Sequence, residues 1–431
     1  MRDLAITSFL IIGALAALGR PWRGVILWAI VSLMNPHRLT WGFAYDWPWA
    51  QWIVATTMIG LLFHWKEAQA KWYAPVILLV VFTVWQSITY PFSFNPELSY
   101  EMWTRVLKIN FMLLVTIALL HTRKHVHALV WVIVISLGLY GVKGGLFTLA
   151  TGGHYRVYGP TQTFIEGNNE VALALTMVIP LMYYLSSVAT KKYVKWGLRV
   201  SMLLCVVSVL GSHSRGALVA IAAMSVLLVW KSEKKLGVGA LVVLGAALIL
   251  PLMPEQWWER METIQDYDTD ASAQGRINSW WLTVNVAKAH FFGGGYAMYT
   301  RDVFAQFAPN PLDIHVAHSI YFSTLGEHGV VGLVLFLAFW AATWRAAGWA
   351  QRDARVRTGP EFAWARMLFA MVKVSLIGYL VGGAFLSLAY FDLPYYLMAI
   401  VVVTRYSIEK ARQQEPVLQH ATPPSVAAQP H

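Results

Sequence analysis

The sequence predicts an all-α polytopic membrane protein, and three observations carry that prediction. Of 431 residues, 57% are hydrophobic and only 13% charged, which is more apolar surface than one soluble core could bury. Apolar runs of about the length of a bilayer crossing recur along the chain. The basic residues behind the net charge of +11 stand at the ends of those runs and not in one patch. That is the pattern of the positive-inside rule, and it argues against nucleic acid as a partner. The single cysteine, Cys205, lies inside an apolar run, so no intrachain disulfide forms.

Taken in order, the apolar segments fall near 3–19, 24–35, 49–64, 73–89, 100–120, 126–148, 168–189, 195–211, 216–230, 236–253, 319–344, 362–384 and 390–404, about 12 transmembrane helices. The first run starts within three residues of Met1, lacks a small-residue cleavage site and is followed at once by a second run after Arg20-Pro21-Trp22-Arg23. It reads as a retained helix and not a cleaved signal. The run at 24–35 is the weakest, which leaves the direction of the first two helices open. Short connections rich in Lys and Arg (121–125, 191–199, 231–235, 345–366) are assigned to the cytoplasm. The alternate connections near 90–99, 149–167, 211–215, 254–318 and 385–390 then face outward.

The organisation read from this is N-terminal transmembrane helices over 1–150, central helices with outward arginine loops over 151–253, a periplasmic loop domain over 254–318, C-terminal transmembrane helices over 319–405, and a disordered cytoplasmic tail over 406–431. The last is rich in Pro, Ala, Gln and Ser. A loop as long as 254–318 needs secondary structure of its own. Gln274 to Phe292 reads as an amphipathic helix with Ile277, Trp280, Trp281, Val284 and Ala287 on its apolar face, suited to the headgroup level. The loop holds eight acidic and four basic residues, so its few cations stand out.

His318 closes that loop and opens an apolar helix, with His315 three residues before it and Ser319, Tyr321 and Glu327 after it. An imidazole titrates near neutrality and can take a proton from a hydroxyl, so His318 reads as a general base. Zinc needs three or four spaced ligands, and His315 and His318 have no such companions; the predicted site holds no metal and no cofactor. Arg215, after Gly211-Ser212-His213-Ser214, is an outward arginine against the orientation bias. Arg276, at the start of the amphipathic helix, and Arg156, ahead of Glu166-Gly167-Asn168-Asn169-Glu170, are two more. Three forked guanidinium groups suit the charges of a diphosphate. Asp266-Tyr267-Asp268-Thr269-Asp270 invites a metal reading but fails as an EF-hand, with Ala271 and Ile277 where Gly and Glu are required, and reads as a solvated acidic loop.

Ala317-His318-Ser319-Ile320-Tyr321-Phe322, then Glu327 and Gly329-Val330-Val331-Gly332, resembles the signature of the O-antigen ligase and polymerase superfamily, which reads His-Asn-x-Tyr-Leu and then Glu-x-Gly-x-x-Gly. Ser319 for Asn and Phe322 for Leu are departures. Ser214-Arg215-Gly216, Gly275-Arg276 before Trp280-Trp281, Gly293-Gly294-Gly295 and the Asn169 segment are similar to the family in order and spacing. Met34 to Gly42 resembles the N-terminal region of ligase-like members associated with exosortase systems. The resemblance implies a GT-C-like fold and an enzyme of lipopolysaccharide biosynthesis in the bacterial inner membrane, its active site facing the periplasm. It implies a donor glycan on undecaprenyl diphosphate, a lipid A-core acceptor, and metal-independent inverting transfer with His318 as base and Arg215, Arg276 and Arg156 on the diphosphate; His315, Ser319, Tyr321, Glu327 and Asn169 would support them. The alternatives within the family are a polymerase and a protein O-oligosaccharyltransferase. From another class, a lipid-linked glycan flippase would need facing charges near mid-membrane, for which Lys143 and Lys373 are the nearest candidates.

Overall fold

A computed structural model describes residues 1–232, 234–262 and 271–420, and among these the regular elements are helices, with no strand. They are α1 (Arg2–Gly19), α2 (Pro21–Met34), α3 (Trp49–Phe63), α4 (Ala74–Thr89), α5 (Pro96–Leu119), α6 (Arg123–Ala150), α7 (Asn168–Val188), α8 (Lys192–Gly211) and α9 (Arg215–Lys231). There follow α10 (Lys235–Ile249), α11 (Glu255–Glu262), α12 (Ala271–Ala289), α13 (Arg301–Phe307), α14 (Ile320–Ala347), α15 (Trp349–Arg352), α16 (Ala354–Thr358), α17 (Ala363–Gly382) and α18 (Asp392–His420). Nine helices among the described residues are long and apolar enough to cross a membrane, and α2 and α3 are shorter apolar helices. The protein is an all-α polytopic membrane protein. Asp266 and Asp268 lie outside the described residues, as do 421–431.

Chain chemistry sets the helix starts. Proline opens α2, α4 and α5, where its missing N–H costs nothing, and the Thr122 and Ser214 hydroxyls cap α6 and α9. The hub is α18, buried at every residue from Phe391 to Thr404, with α7 the next most enclosed long helix. Around it α2, α5 and α6 pack on one side, and α14 and α17 on the other. In contrast, α10 touches α9 and is otherwise open along its length, as a lipid-facing helix would be.

Two contacts fix the direction that the sequence left open. Asp3 Oδ1 accepts from the Gly42 and Ala44 amides at 3.0 and 3.3 Å, and Tyr45 OH lies 3.3 Å from Thr161 Oγ1. The start of α1, the loop after α2 and the 151–167 loop therefore share one end of the bundle, here termed the loop end. The basic connections gather at the other. The expected tail from residue 406 is helical as far as His420. Tyr406 and Lys410 bond Gln69, and Arg412 pairs with Asp353 at 2.9 Å, so hydrogen bonds hold a segment whose composition offered no apolar face.

The segment between α10 and α14 does carry helices, but α12 departs from its expected form. It begins at Ala271, which puts Arg276 beyond the first turn, and its buried face is Gly275, Asn278, Ser279, Leu282, Thr283 and Val286. Trp281 remains exposed. Of its polar members, Asn278 and Ser279 are satisfied by backbone groups of 310–315, and Thr283 donates within the helix to Trp280 O.

The joint between this segment and the bundle is a break in α14 at Gly329, whose φ of 69° and ψ of −174° only glycine adopts readily. A break frees carbonyls that a continuous helix would satisfy. Here Gly326 O accepts from the Gly294 amide at 2.8 Å, Glu327 O from the Gly295 amide at 3.0 Å, and His328 O from Trp85 Nε1 at 2.9 Å. A Cβ on Gly329 would stand 2.2 Å from Phe291 O, and one on Gly293 would stand 2.6 Å from Gly326 O. Gly329→Ala should therefore lose about 1–3 kcal/mol from the backbone conformation alone, read as a lower melting temperature in detergent. Gly237→Ala, in open space on α10, should leave it unchanged or slightly higher; equal behaviour of the two variants would refute the joint.

Candidate functional site

Three consecutive residues of α12 hold the extended segment that delivers His318. Asn278 Nδ2 donates to the Asn310 and Asp313 carbonyls, both at 2.9 Å, and its Oδ1 accepts from the Asn310 amide at 2.8 Å. Ser279 Oγ donates to His315 O at 2.7 Å, and Trp280 Nε1 to Ala317 O at 2.7 Å, with the indole stacked on Phe322. Gly275 permits the approach, since a Cβ there would meet the His315 ring at 2.5 Å. His318 then turns the chain into α14 with a φ of 43°, a left-handed conformation costing a non-glycine residue roughly 1–2 kcal/mol. The hydrogen bonds on either side hold it there.

Burial first, then the positive charges of Arg276 and His315, push the His318 imidazole down to about 4. It is neutral at pH 7, with a ring able to accept a proton. His315 sits on the rim, paired with Asp313 at 2.8 Å. Arg276 also acts on Glu170 in the first turn of α7, so α7, α12 and α14 bring an acid, a guanidinium and an imidazole together.

Arg215 reaches this end by a separate anchor. The 212–214 turn is pinned by Asn168 Nδ2 on Ser212 O at 2.8 Å and by His213 Nε2 against Gly153 O at 2.9 Å; Ser214 then caps α9 and Arg215 is its first residue. Gly216 faces Phe385 while Gly383 faces the Ile320 side chain, so the starts of α9 and α14 flank one turn. That places Arg215 and His318 on either side of residues 382–385.

The other expected residues divide. Arg156 is exposed and lines a separate cavity of about 310 Å³ with Lys143 and Tyr158, and its charge falls on His213; no contact brings it to His318. The residue that bonds the 212–214 turn is Asn168, the neighbour of Asn169. Tyr321 OH donates to Leu380 O at 2.7 Å, tying α14 to α17. Ser319 Oγ is buried with no hydrogen-bond partner among the described residues. Glu327 does not orient His318: its carboxylate accepts from Tyr390 OH at 2.6 Å deeper in the protein, beside Tyr296. The reading of sequence missed Asn278, Ser279, Glu170 and Asp313. The glycine before Arg276 was the available signal that a backbone approaches there.

Residues 200–337 match the family model described as O-antigen ligase, and residues 1–190 match a family of unknown function, DUF5935. No curated protein matches the chain. The first match supports the O-antigen ligase superfamily, and it takes in Arg215, Arg276, His318 and Glu327. Arg156 and Asn169 fall in the other.

Arg276→Gln should raise the His318 pKa from about 4 toward the ordinary 6.5, stopping short because burial is the larger cause. Removing a neighbouring positive charge eases protonation, so the sign is upward. The pH dependence of diethyl pyrocarbonate labelling at His318, read by mass spectrometry, measures both midpoints. A wild-type midpoint at 6.5, or one that the substitution leaves in place, would take Arg276 out of the site.

Proposed function

We propose that the chain is an O-antigen ligase that transfers a glycan from undecaprenyl diphosphate to a sugar hydroxyl of lipid A-core. The family match supports ligase or polymerase function of a glycosyltransferase type. The observation that carries the residue roles is that α12, which bears Arg276, holds the segment ending in His318 through Ser279 and Trp280, so that the Arg276 charge acts on the imidazole. By the positive-inside rule the loop end is the periplasmic face of the bacterial inner membrane.

A diphosphate leaving group needs its charge held more than it needs a proton, and Arg276 and Arg215 supply that hold. The acceptor hydroxyl needs a base, and His318 supplies it. The two are coupled: a bound diphosphate cancels part of the Arg276 charge that keeps His318 low, so the base strengthens when the donor is seated. In-line attack then inverts the anomeric carbon without a covalent sugar intermediate and without a metal. Arg156 is a weaker member of this set, being exposed and lining a separate cavity with Lys143 and Tyr158. Lipid A-core as acceptor, in preference to a lipid-linked repeat or a protein, rests on the ligase description.

The test is transfer by purified protein in detergent with a chelator, a polyprenyl-diphosphate glycan and lipid A-core. Wild type should add discrete glycans to lipid A-core, and His318→Ala should lose about 10²–10⁴-fold in rate. Longer lipid-linked chains in place of transfer would make it a polymerase; full activity in the variant would remove His318 from the chemistry.

A further inference from the structure

A second, larger cavity opens at the loop end, between the N-terminal helices and the start of α18, with a volume of about 820 Å³. One wall is a stripe on α5: Glu101, Thr104, Arg105 and Lys108 recur at helical spacing on a single face of a membrane-spanning helix. Charges there are costly unless they line a water-filled space or meet a ligand. Arg105 stacks over Phe164 at 4.1 Å, and neither it nor Lys108 is paired with a carboxylate among the described residues. Arg38 joins the lining from the loop after α2, where it pairs with Asp46 at 3.3 Å. Across the cavity Asp392, only 3% exposed, presents Oδ1 with no hydrogen-bond partner among the described residues, and His37 Nδ1 is likewise buried and unpartnered. Gln51 and Gln162 add amides to the lining.

Arg105 and Lys108, the two lining cations without a paired carboxylate, can take an anion, although Glu101, Glu166 and Asp392 share the lining and limit its net charge. The unpartnered Asp392 oxygen and His37 nitrogen, with the amides, can take hydroxyl groups of the same ligand. We propose that this cavity binds a phosphate-bearing saccharide, and that it holds the anionic sugar region of the acceptor beside the transfer site. The second half of that statement rests on the proposed function; the first rests on the cavity alone. The connection runs along the chain: Gln162 and Glu166 line this cavity, Glu166 Oε2 accepts from the Gln162 amide at 2.8 Å, and four residues on stands Glu170, on which the Arg276 charge acts.

The experiment titrates full-length protein in detergent by isothermal calorimetry. The probe is the phosphorylated core oligosaccharide released from lipid A-core by mild acid. Separate arms use the same oligosaccharide after phosphatase, inorganic phosphate, and phosphatidylglycerol. The phosphorylated oligosaccharide should bind, dephosphorylation should weaken it at least tenfold, and the double variant Arg105→Gln/Lys108→Gln should weaken it as much. Lys108→Gln alone, exposed and tolerant of change, should give a smaller loss at an unaltered melting temperature, which keeps the test intact if the double variant fails to fold. His318→Ala should bind as wild type does. Equal binding after phosphatase or in Lys108→Gln would overturn the proposal, as would inorganic phosphate binding as tightly as the oligosaccharide, or displacement by phosphatidylglycerol. Binding that meets every expectation in a protein that transfers nothing to lipid A-core would uphold the cavity and count against the proposed function alone.

Discussion

The structure depends on a helix that is broken and mended from outside. Gly329 interrupts α14, and two amides of the 293–295 turn together with the Trp85 indole take the three carbonyls that follow from the break. Unmet carbonyls in a buried position would cost more than a glycine does, so the break is stable only with the turn in place. The same turn is gripped from the other side, since the Phe94 amide donates to Gly294 O at 2.9 Å and a Cβ on Gly295 would collide with Ser93. The segment between α10 and α14 is thereby locked to α4 and α14 at one point. Everything α12 positions, including the strand-like run to His318, inherits its placement from that lock.

This explains why His318 tolerates a strained backbone. A flexible loop would relax a left-handed histidine; here the chain is bonded to α12 at residues 310, 313, 315 and 317 immediately before it and enters α14 immediately after. The cost is met by fixing both flanks, and the gain is an imidazole aimed at one place. Strain of this kind gathers where geometry matters for chemistry.

Much of the fold was legible because a membrane imposes it: each apolar run had to become a helix, and the basic residues had to collect at one end. The Glu327 to Gly332 motif and the triple glycine both stood out as similar to the family, yet nothing in either motif said that one plugs the other. The apolar face of α12 was legible but its packed face was not, for a physical reason. Periodicity assumes that buried faces are apolar, and Asn278 and Ser279 are buried because carbonyls 30 to 40 positions away accept from them. Arg105 and Lys108 were overlooked because a long apolar run dilutes two charges, and only the three-dimensional face shows them lining a cavity with Arg38 and Asp392.

The division of the chain into two family matches has a counterpart in the geometry. Arg215, Arg276 and His318 all lie in the O-antigen ligase match, and the α12 bonds and the α14 joint hold the segment that delivers His318. The cavity on α5 is built mostly from the DUF5935 match, closed by the start of α18. A transfer reaction needs one partner whose leaving group is uniform and one whose shape varies. Charge-holding arginines and a base suit the first need, while a wide, polar, mixed-charge cavity suits the second. The 151–167 loop, which leads into the start of α7 at Asn168, is the element that passes between them. On the proposed function, a change of acceptor would be accommodated in the N-terminal helices and this loop, with the transfer chemistry left as it stands.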